Sequence, residues 1–397
     1  MKESGPISPR PGRDPERDAT GRGRVEPTWA SVRSRSLPRE ASCVDAEAFG
    51  PLLSRAMEKR RGMIRSGETD AFRVFSGAAD GLDGVFIDVY GEGAVLMVHE
   101  GIAPRGLDVR SAAGAALRVL GPAGVRAVYL KPFAKDRSGL GGALPAVVMD
   151  PTPAAGAALP EELRVHEHGA TLEVRLYDGL STGLFLDQRE NRRFVRDWCA
   201  GLVRERSVAP SVLNTFAYTC AFSVAAARAG ALATSVDVSG RYLGWGKRNF
   251  GHNAIDAGPH RFAKMDTFEF LQYARRKGLR YDVIVLDPPS FASGSKRKGQ
   301  RPWSSVADYP RLVREAAGVA CPGALILAST NTRELCLPGR LERAIIDGLG
   351  VEPVWVGLPG PPADFAAERG RMAARAFEVP RESVARGLPG ATSRVRR

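Results

Sequence analysis

Three acidic residues in the second half of the chain stand where a sheet would turn them toward a ligand. Asp237, Asp266 and Asp287 each close a short, strand-like run. The last is the most distinctive, because Val283-Ile284-Val285-Leu286 stops at Asp287-Pro288-Pro289-Ser290-Phe291. Proline neither extends a helix nor donates a backbone hydrogen bond, so the chain leaves this strand as a stiff loop. Pro288 also biases Asp287 toward an extended backbone, which holds its carboxylate near the strand's carboxyl end. Ligands of open α/β sheets bind at that end. The corner suits a flat polar group such as a nucleobase, and by itself it suits a proline-rich turn equally well.

The other acids extend the reading. Asp237, followed by Ser239, can accept hydrogen bonds from both hydroxyls of a ribose. Asp266 is placed to take the exocyclic amine of an adenine. Taken singly, such acids are more often helix N-caps; at three successive strand ends they point together to an adenosine ligand. The segment Asn214-Thr215-Phe216-Ala217-Tyr218-Thr219-Cys220-Ala221-Phe222-Ser223 supplies small residues for a tight approach of backbone N–H groups. It lacks the Gly-x-Gly-x-x-Gly that cradles a pyrophosphate, which counts against NAD or FAD and a nicotinamide-dependent oxidoreductase. S-adenosylmethionine, an adenosine without pyrophosphate, fits.

The elements that must position these residues alternate regularly. Strands are predicted at 211–216, 233–237, 260–265, 281–286 and 323–329, with helices at 221–229, 239–251, 267–277 and 307–320 between them. This β-α rhythm specifies a parallel sheet covered on both faces. Val351–Gly357 and Ala374–Val379 read as an antiparallel pair at its edge. The expected fold is α/β, a seven-stranded Rossmann-like class I methyltransferase domain over 179–380, preceded by a small α+β domain over 43–178. In the latter we expect a helix from Pro51 to Arg65 with Pro51 in its first turn. Strands are expected at 72–75, 85–90, 94–98, 127–131, 146–149, 164–168 and 171–176, with a helix at 106–120. Nothing in that domain reads as chemistry. Residues 1–42 and 381–397 are polar, arginine-rich and without apolar periodicity, and are expected to be disordered basic tails.

Composition narrows the partners. The 397 residues carry a net charge of +13, which favours polyanions, above all nucleic acid or phospholipid headgroups, with nucleic acid the preferred reading. No apolar run reaches the roughly 18 residues of a membrane helix, and the amino terminus lacks a secretory pattern. Five scattered cysteines have neither metal-ligand nor redox spacing, so reduced thiols in the cytoplasm and no metal are expected.

Three segments together resemble the bacterial 23S ribosomal RNA large-subunit methyltransferases: Thr182-Gly183-Leu184-Phe185-Leu186-Asp187-Gln188-Arg189-Glu190-Asn191-Arg192, Phe216-Ala217-Tyr218-Thr219, and Leu286-Asp287-Pro288-Pro289-Ser290-Phe291. Gly77–Asp88 is similar to their small central domain. The resemblance implies that Gln188 and Arg189 help to close the cofactor pocket. It also implies that Phe216, Tyr218, Asp237, Ser239 and Asp266 hold S-adenosylmethionine, and that Asp287, Pro288 and Phe291 face the target base. Lys296, Arg297, Lys298 and Arg301 follow at once as an expected clamp on RNA phosphates.

The family has a cytosine carbon-5 branch and a guanine N7 branch. Carbon 5 of cytosine needs a thiolate to add to carbon 6 first. Where that cysteine should stand, this chain reads Ser329-Thr330-Asn331, so a guanine nitrogen is the favoured target. A cytosine carbon-5 enzyme, a catalytically inactive RNA-binding relative, and a methyltransferase for protein or small molecules remain as alternatives.

Overall fold

The computed structural model describes residues 46–133, 144–292, 303–368 and 370–380. The helices α1 (Ala46–Lys59) and α2 (Arg61–Ser66) open it. A five-stranded sheet follows, with β1 (Ala71–Ser76), β2 (Val85–Tyr90), β3 (Gly93–His99), β4 (Ala127–Phe133) and β5 (Ala155–Gly156) in that spatial order. The first three strands are antiparallel neighbours, while β4 runs parallel to β3. A parallel pair needs a crossover, and α3 (Val109–Leu120) provides it. Phe49 and Leu53 of α1 and Ala112 and Ala116 of α3 bury against Phe75, Ile87 and Leu96 of the sheet.

β6 (Leu163–Glu167) and β7 (Ala170–Val174) form a separate hairpin. Its two-residue turn holds His168 and Gly169 at positive φ, the backbone that matches the right-handed twist of paired strands. Val165 and Leu172 share one core with Tyr129 of β4 and with Leu243 and Phe250 of a later helix. The hairpin therefore packs against both halves of the fold.

α4 (Arg189–Arg206) leads into the larger sheet through β8 (Ser211–Thr215), α5 (Ala221–Arg228), β9 (Leu232–Asp237), α6 (Gly240–His252), β10 (Arg261–Lys264), α7 (Thr267–Arg276) and β11 (Tyr281–Leu286). A short pair, β12 (Phe291–Ala292) and β13 (Trp303–Ser304), precedes α8 (Ser305–Ala317) and β14 (Ala320–Thr330). α9 (Arg340–Leu349), β15 (Val354–Val356) and β16 (Ala373–Glu378) complete it. The seven strands lie in the order β10-β9-β8-β11-β14-β16-β15. The first five are parallel and β16 is antiparallel to both neighbours. This is the expected class I methyltransferase sheet. Ile284 and Leu286 face one core and Val283 and Val285 the other, which is why β11 reads as an unbroken apolar run.

Three expectations fail locally. Pro51 is not in the first turn but inside α1, on its exposed side, where water can take the carbonyl that the missing N–H leaves free. Ala146–Met149 is a 3-10 turn and not a strand; Pro145 and Pro151 bracket it, and so short an apolar run does not distinguish the two. α9 was not anticipated, although Leu341, Ala344, Ile345, Gly348 and Leu349 are buried with helical spacing. The expected tails and the Lys296–Arg301 loop lie outside the described residues.

Candidate functional site

The carboxyl ends of β8, β9, β11 and β14 bring most of the candidate residues together. Asp287 follows β11 directly, and its Oδ1 accepts hydrogen bonds from Ser329 Oγ (2.6 Å) and Gln188 Nε2 (3.2 Å). Gln188 Nε2 also reaches Ser329 Oγ at 3.1 Å, and Asn191 Nδ2 fixes the other end of Gln188 at 2.6 Å. The start of α4 and the ends of β11 and β14 thus close on one carboxylate. Burial pushes the Asp287 carboxyl above the usual range, while the bond from Ser329 and the charge of Arg192 pull against it.

The proline corner is fixed from behind. Trp303 Nε1 (2.7 Å) and Ser305 Oγ (2.9 Å) both donate to Pro289 O. Pro288 is buried, whereas Phe291 is 64% exposed and presents its ring outward. Ser290 Oγ donates to Asn331 Oδ1 at 2.6 Å, tying the corner to the segment after β14.

The loop after β8 is unusual. Phe216, Tyr218 and Cys220 all have positive φ (52°, 48° and 63°) although none is glycine. Such backbone is costly for residues with a Cβ and persists only where surroundings hold it. Here Tyr218 N–H donates to Asp237 Oδ2 (2.9 Å), Thr219 Oγ1 to Gly183 O (2.6 Å) and Asn249 Nδ2 to Thr219 O (2.9 Å). Cys220 is fully buried against α6, and a Cβ on Gly246 would collide with its sulfur. Burial pushes the Cys220 thiol up to about 12, so it is an inert packing group. Gly183 (φ 98°) leaves no room for a side chain either, because a Cβ there would meet the Trp245 ring.

Asp237 Oδ1 accepts from Ser239 N–H (2.8 Å), and Ser239 Oγ in turn caps α6 through Tyr242 N–H. Each Asp237 oxygen keeps a further lone pair, and burial raises this carboxyl as well. Asp266 is an N-cap, its Oδ1 accepting from Phe268 and Glu269 N–H at 2.9 and 3.2 Å. A cleft of about 60 Å³ is lined by Gln188, Asn214, Phe216, Tyr218 and Asp287, among others.

Arg189 departs from expectation. Instead of closing the cofactor pocket, it is buried in an ion pair with the fully buried Asp364 and donates to Ala71 O at 3.1 Å. A buried guanidinium goes to its carboxylate. Arg192 is likewise taken, by both oxygens of Glu167 at 2.6 Å each. Two arginines at the start of α4 are thus buried in ion pairs.

The first sheet is not chemically silent. Asp88, Tyr90 and Lys131 from β2 and β4 line a cavity of about 870 Å³ that also takes in Asp187, Asn331 and Cys336. Leu184, Phe185 and Tyr218 are shared with the smaller cleft, so the two adjoin. Asp88 is held by Arg73 at 2.7 and 3.0 Å. Cys336 folds back toward β14, its sulfur donating to Thr330 O at 3.5 Å, and burial raises its pKa. No sequence signal marked Asp88 or Lys131, because they stand on alternating strand faces like any other residue. Among the described residues there is no cluster of metal-ligating side chains and no helix long and apolar enough to cross a membrane.

The family model for S-adenosylmethionine-dependent methyltransferases matches residues 155–346. A Bacillus subtilis protein assigned to the ribosomal RNA large-subunit methyltransferases is 36% identical over 73% of this chain and 68% of its own length. The ribosomal RNA large-subunit methyltransferase K/L of Colwellia psychrerythraea is 30% identical over 79% of this chain, but the match spans 41% of that longer protein. A Streptococcus mutans protein assigned as an S-adenosylmethionine-dependent methyltransferase superposes with a TM-score of 0.70 at 29% identity, over 86% of this chain and 83% of its own. A further methyltransferase structure, solved as an SAH complex, matches equally well over 84% and 82%.

Proposed function

The chain belongs to the bacterial ribosomal RNA large-subunit methyltransferases, an S-adenosylmethionine-dependent family, and on that premise we propose that it methylates a base nitrogen in RNA, with 23S ribosomal RNA as the substrate and a guanine as the target. The residues fit the cofactor on two observations. The strained 216–220 loop turns backbone and aromatic rings toward a cleft that carries no glycine cradle for phosphate. Beside it, Asp237 retains acceptor capacity at the place where a ribose would present its hydroxyls. We assign Gln188, Phe216 and Tyr218, which line that cleft, to the cofactor, together with Asp237 and Ser239 beside it and Asp266 at the cap of α7.

S-adenosylmethionine supplies a methyl group on a positively charged sulfur, which a nitrogen lone pair can displace directly. The protein's part is then to hold the base in line and to exclude water. Asp287 is the group placed for this. Both of its hydrogen bonds from described residues end on Oδ1, which leaves Oδ2 to orient the base or to take a proton from an amino nitrogen. The exposed Phe291 offers the base a stacking ring, whereas Pro288, expected to face the base as well, is buried and stiffens the corner behind it.

The observation that carries the choice of nitrogen over carbon concerns sulfur. Carbon-5 chemistry needs a thiolate, and Cys336, the thiol that approaches this end of β14, donates its proton to a carbonyl and has a raised pKa. The test is to delete the gene and compare methylated nucleosides of ribosomal RNA by mass spectrometry. Loss of one methylguanine is the expected result; loss of 5-methylcytosine would assign the cytosine reaction instead.

A further inference from the structure

The segment 180–185 is held from two sides. On the side of the first sheet, Lys131 Nζ of β4 donates to the carbonyls of Leu180 (3.2 Å) and Ser181 (3.4 Å). Thr182 Oγ1 donates to the Tyr90 hydroxyl of β2 at 3.0 Å, and Thr182 O accepts from Arg175 N–H at 2.9 Å. On the other side, Gly183 O accepts from Thr219 Oγ1 at 2.6 Å, and the Phe185 ring lies 5.4 Å from that of Tyr218. The Tyr218 hydroxyl also meets the Gly183 backbone and the Ser181 side chain. Residues 180–182 thus lean on the first sheet, while 181, 183 and 185 bear on the loop after β8.

Neither side is ordinary. The 216–220 loop carries three non-glycine residues at positive φ, a conformation that persists only where neighbours enforce it. Lys131 is 1% exposed and forms no ion pair among the described residues. Asp178 and Asp88, the carboxylates whose charge reaches it, are engaged with Arg241 and Arg73. Burial brings its ammonium down to about 7. A methionine or leucine would fill the place without that desolvation cost, so packing does not explain a lysine there. What the ammonium does supply is donors for two consecutive carbonyls. They fix the course of the chain just before Gly183, and Gly183 sets where Thr219 stands. Gly183 cannot give way, because the Trp245 ring leaves no room beside it.

We propose that Lys131 and Tyr90 are positioning residues for the methyl donor: acting through 180–183, they hold the 216–220 loop in the shape that binds the cofactor. The first sheet thereby takes part in cofactor binding without touching the cofactor. The inference rests on the assignment of Phe216 and Tyr218 to the cofactor, and it adds to that cleft a support from β2 and β4. It is independent of which base is methylated.

Calorimetry of the full chain with S-adenosylhomocysteine tests it. Lys131→Met should weaken binding by about tenfold, and Tyr90→Phe, the milder change, by about threefold. Tyr129→Phe is the control: on the same strand it removes a buried hydroxyl that accepts from Leu159 N–H (2.9 Å), a bond with no part in 180–185. It should lower Tm and leave the affinity within about twofold. Thr219→Val cuts the link at its other end. The double variant Lys131→Met/Thr219→Val should lose no more than the weaker-binding of the two single variants, whereas independent structural damage would make the losses multiply. Under turnover, the KM for S-adenosylmethionine should rise in Lys131→Met while the KM for RNA is unchanged. Wild-type affinity in Lys131→Met (or, should that variant not fold, in Tyr90→Phe), an equal loss in Tyr129→Phe, or losses that multiply in the double variant would overturn the inference. Asp237→Ala separates it from the reading beneath it. If that variant binds S-adenosylhomocysteine as the wild type does, the cofactor cleft itself is misplaced; if it binds weakly while Lys131→Met is normal, only the support from the first sheet is wrong.

Discussion

Asp287 gathers its neighbours on one oxygen, and that asymmetry makes its role testable at the level of single atoms. Asp287→Ala should lower kcat by about 10²–10⁴, the usual span for a positioned acid or base. S-adenosylmethionine affinity by calorimetry should stay within about threefold, since the cleft's other walls are untouched. The pH dependence follows from the same contacts. Burial raises the Asp287 pKa, so activity that needs the carboxylate declines, as pH falls, at a higher pH than for a free aspartate. Ser329 donates to that carboxylate and lowers its pKa; Ser329→Ala should therefore move the acid limb of kcat/KM to higher pH. Asp187 gives the stability counterpart. Its folded pKa of about 6 lies above its unfolded value, so the native state binds more protons between about pH 4 and 6 and the ionised group opposes folding above that window. Asp187→Asn should raise Tm at pH 7.5, by at most roughly 3 kcal/mol of stability, and the gain should vanish near pH 4. At this scale the sequence exposed Asp287 because proline punctuation is local. Lys131 and Asp88 stayed hidden because what sets them apart is their surroundings, supplied by residues some 50 and 280 positions away (Leu180 and Glu368).

At the scale of elements, the loop after β8 depends on α6 as much as on its own residues. Three non-glycine residues at positive φ are held by Asp237, Asn249 and the close approach of Gly246 to Cys220. Gly246→Ala should displace that loop and cost about tenfold or more in S-adenosylhomocysteine affinity, roughly 1.4 kcal/mol, with circular dichroism preserved. Gly244→Ala, on the same helix with nothing within 4 Å of the new methyl, is the control that should bind normally. The strands of the large sheet were legible because β11 and its neighbours are apolar on both faces and bounded by turns. The helix α9 was not, because its periodic face is short and follows a segment rich in turn residues. Asp266 is a case of another kind: its Oδ1 caps α7, as a strand-end acid often does, while Oδ2 takes no part in the cap.

At the scale of the whole molecule, the two sheets are joined by buried charge. Asp364, in the segment between β15 and β16, takes Arg189 from the start of α4 and Arg73 N–H from β1 (2.9 Å). Glu368 takes the Arg73 side chain at 2.6 Å and Ser76 Oγ at 2.6 Å. Breaking such a pair strands a charge in a place water cannot reach. Asp364→Ala should destabilise by about 3–5 kcal/mol, read as a lower urea midpoint, and Arg189→Met combined with Asp364→Leu should recover most of the loss. No sequence pattern could have announced this joint, since its partners lie far apart along the chain and ion pairs leave no periodicity. The resemblance misread Arg189 for that reason, assigning to the cofactor a residue whose charge is spent on holding the sheets together.

The central claim, that the Asp287 corner presents a guanine nitrogen of RNA to the methyl donor, has a direct test. The purified full chain is incubated with S-adenosylmethionine bearing a deuterated methyl group and with ribosomal RNA from cells lacking the gene, and the nucleosides are analysed by mass spectrometry. The labelled methyl should appear on guanosine with the wild-type protein and be lost with Asp287→Ala. Label on carbon 5 of cytidine, or undiminished methylguanosine with Asp287→Ala, would contradict it.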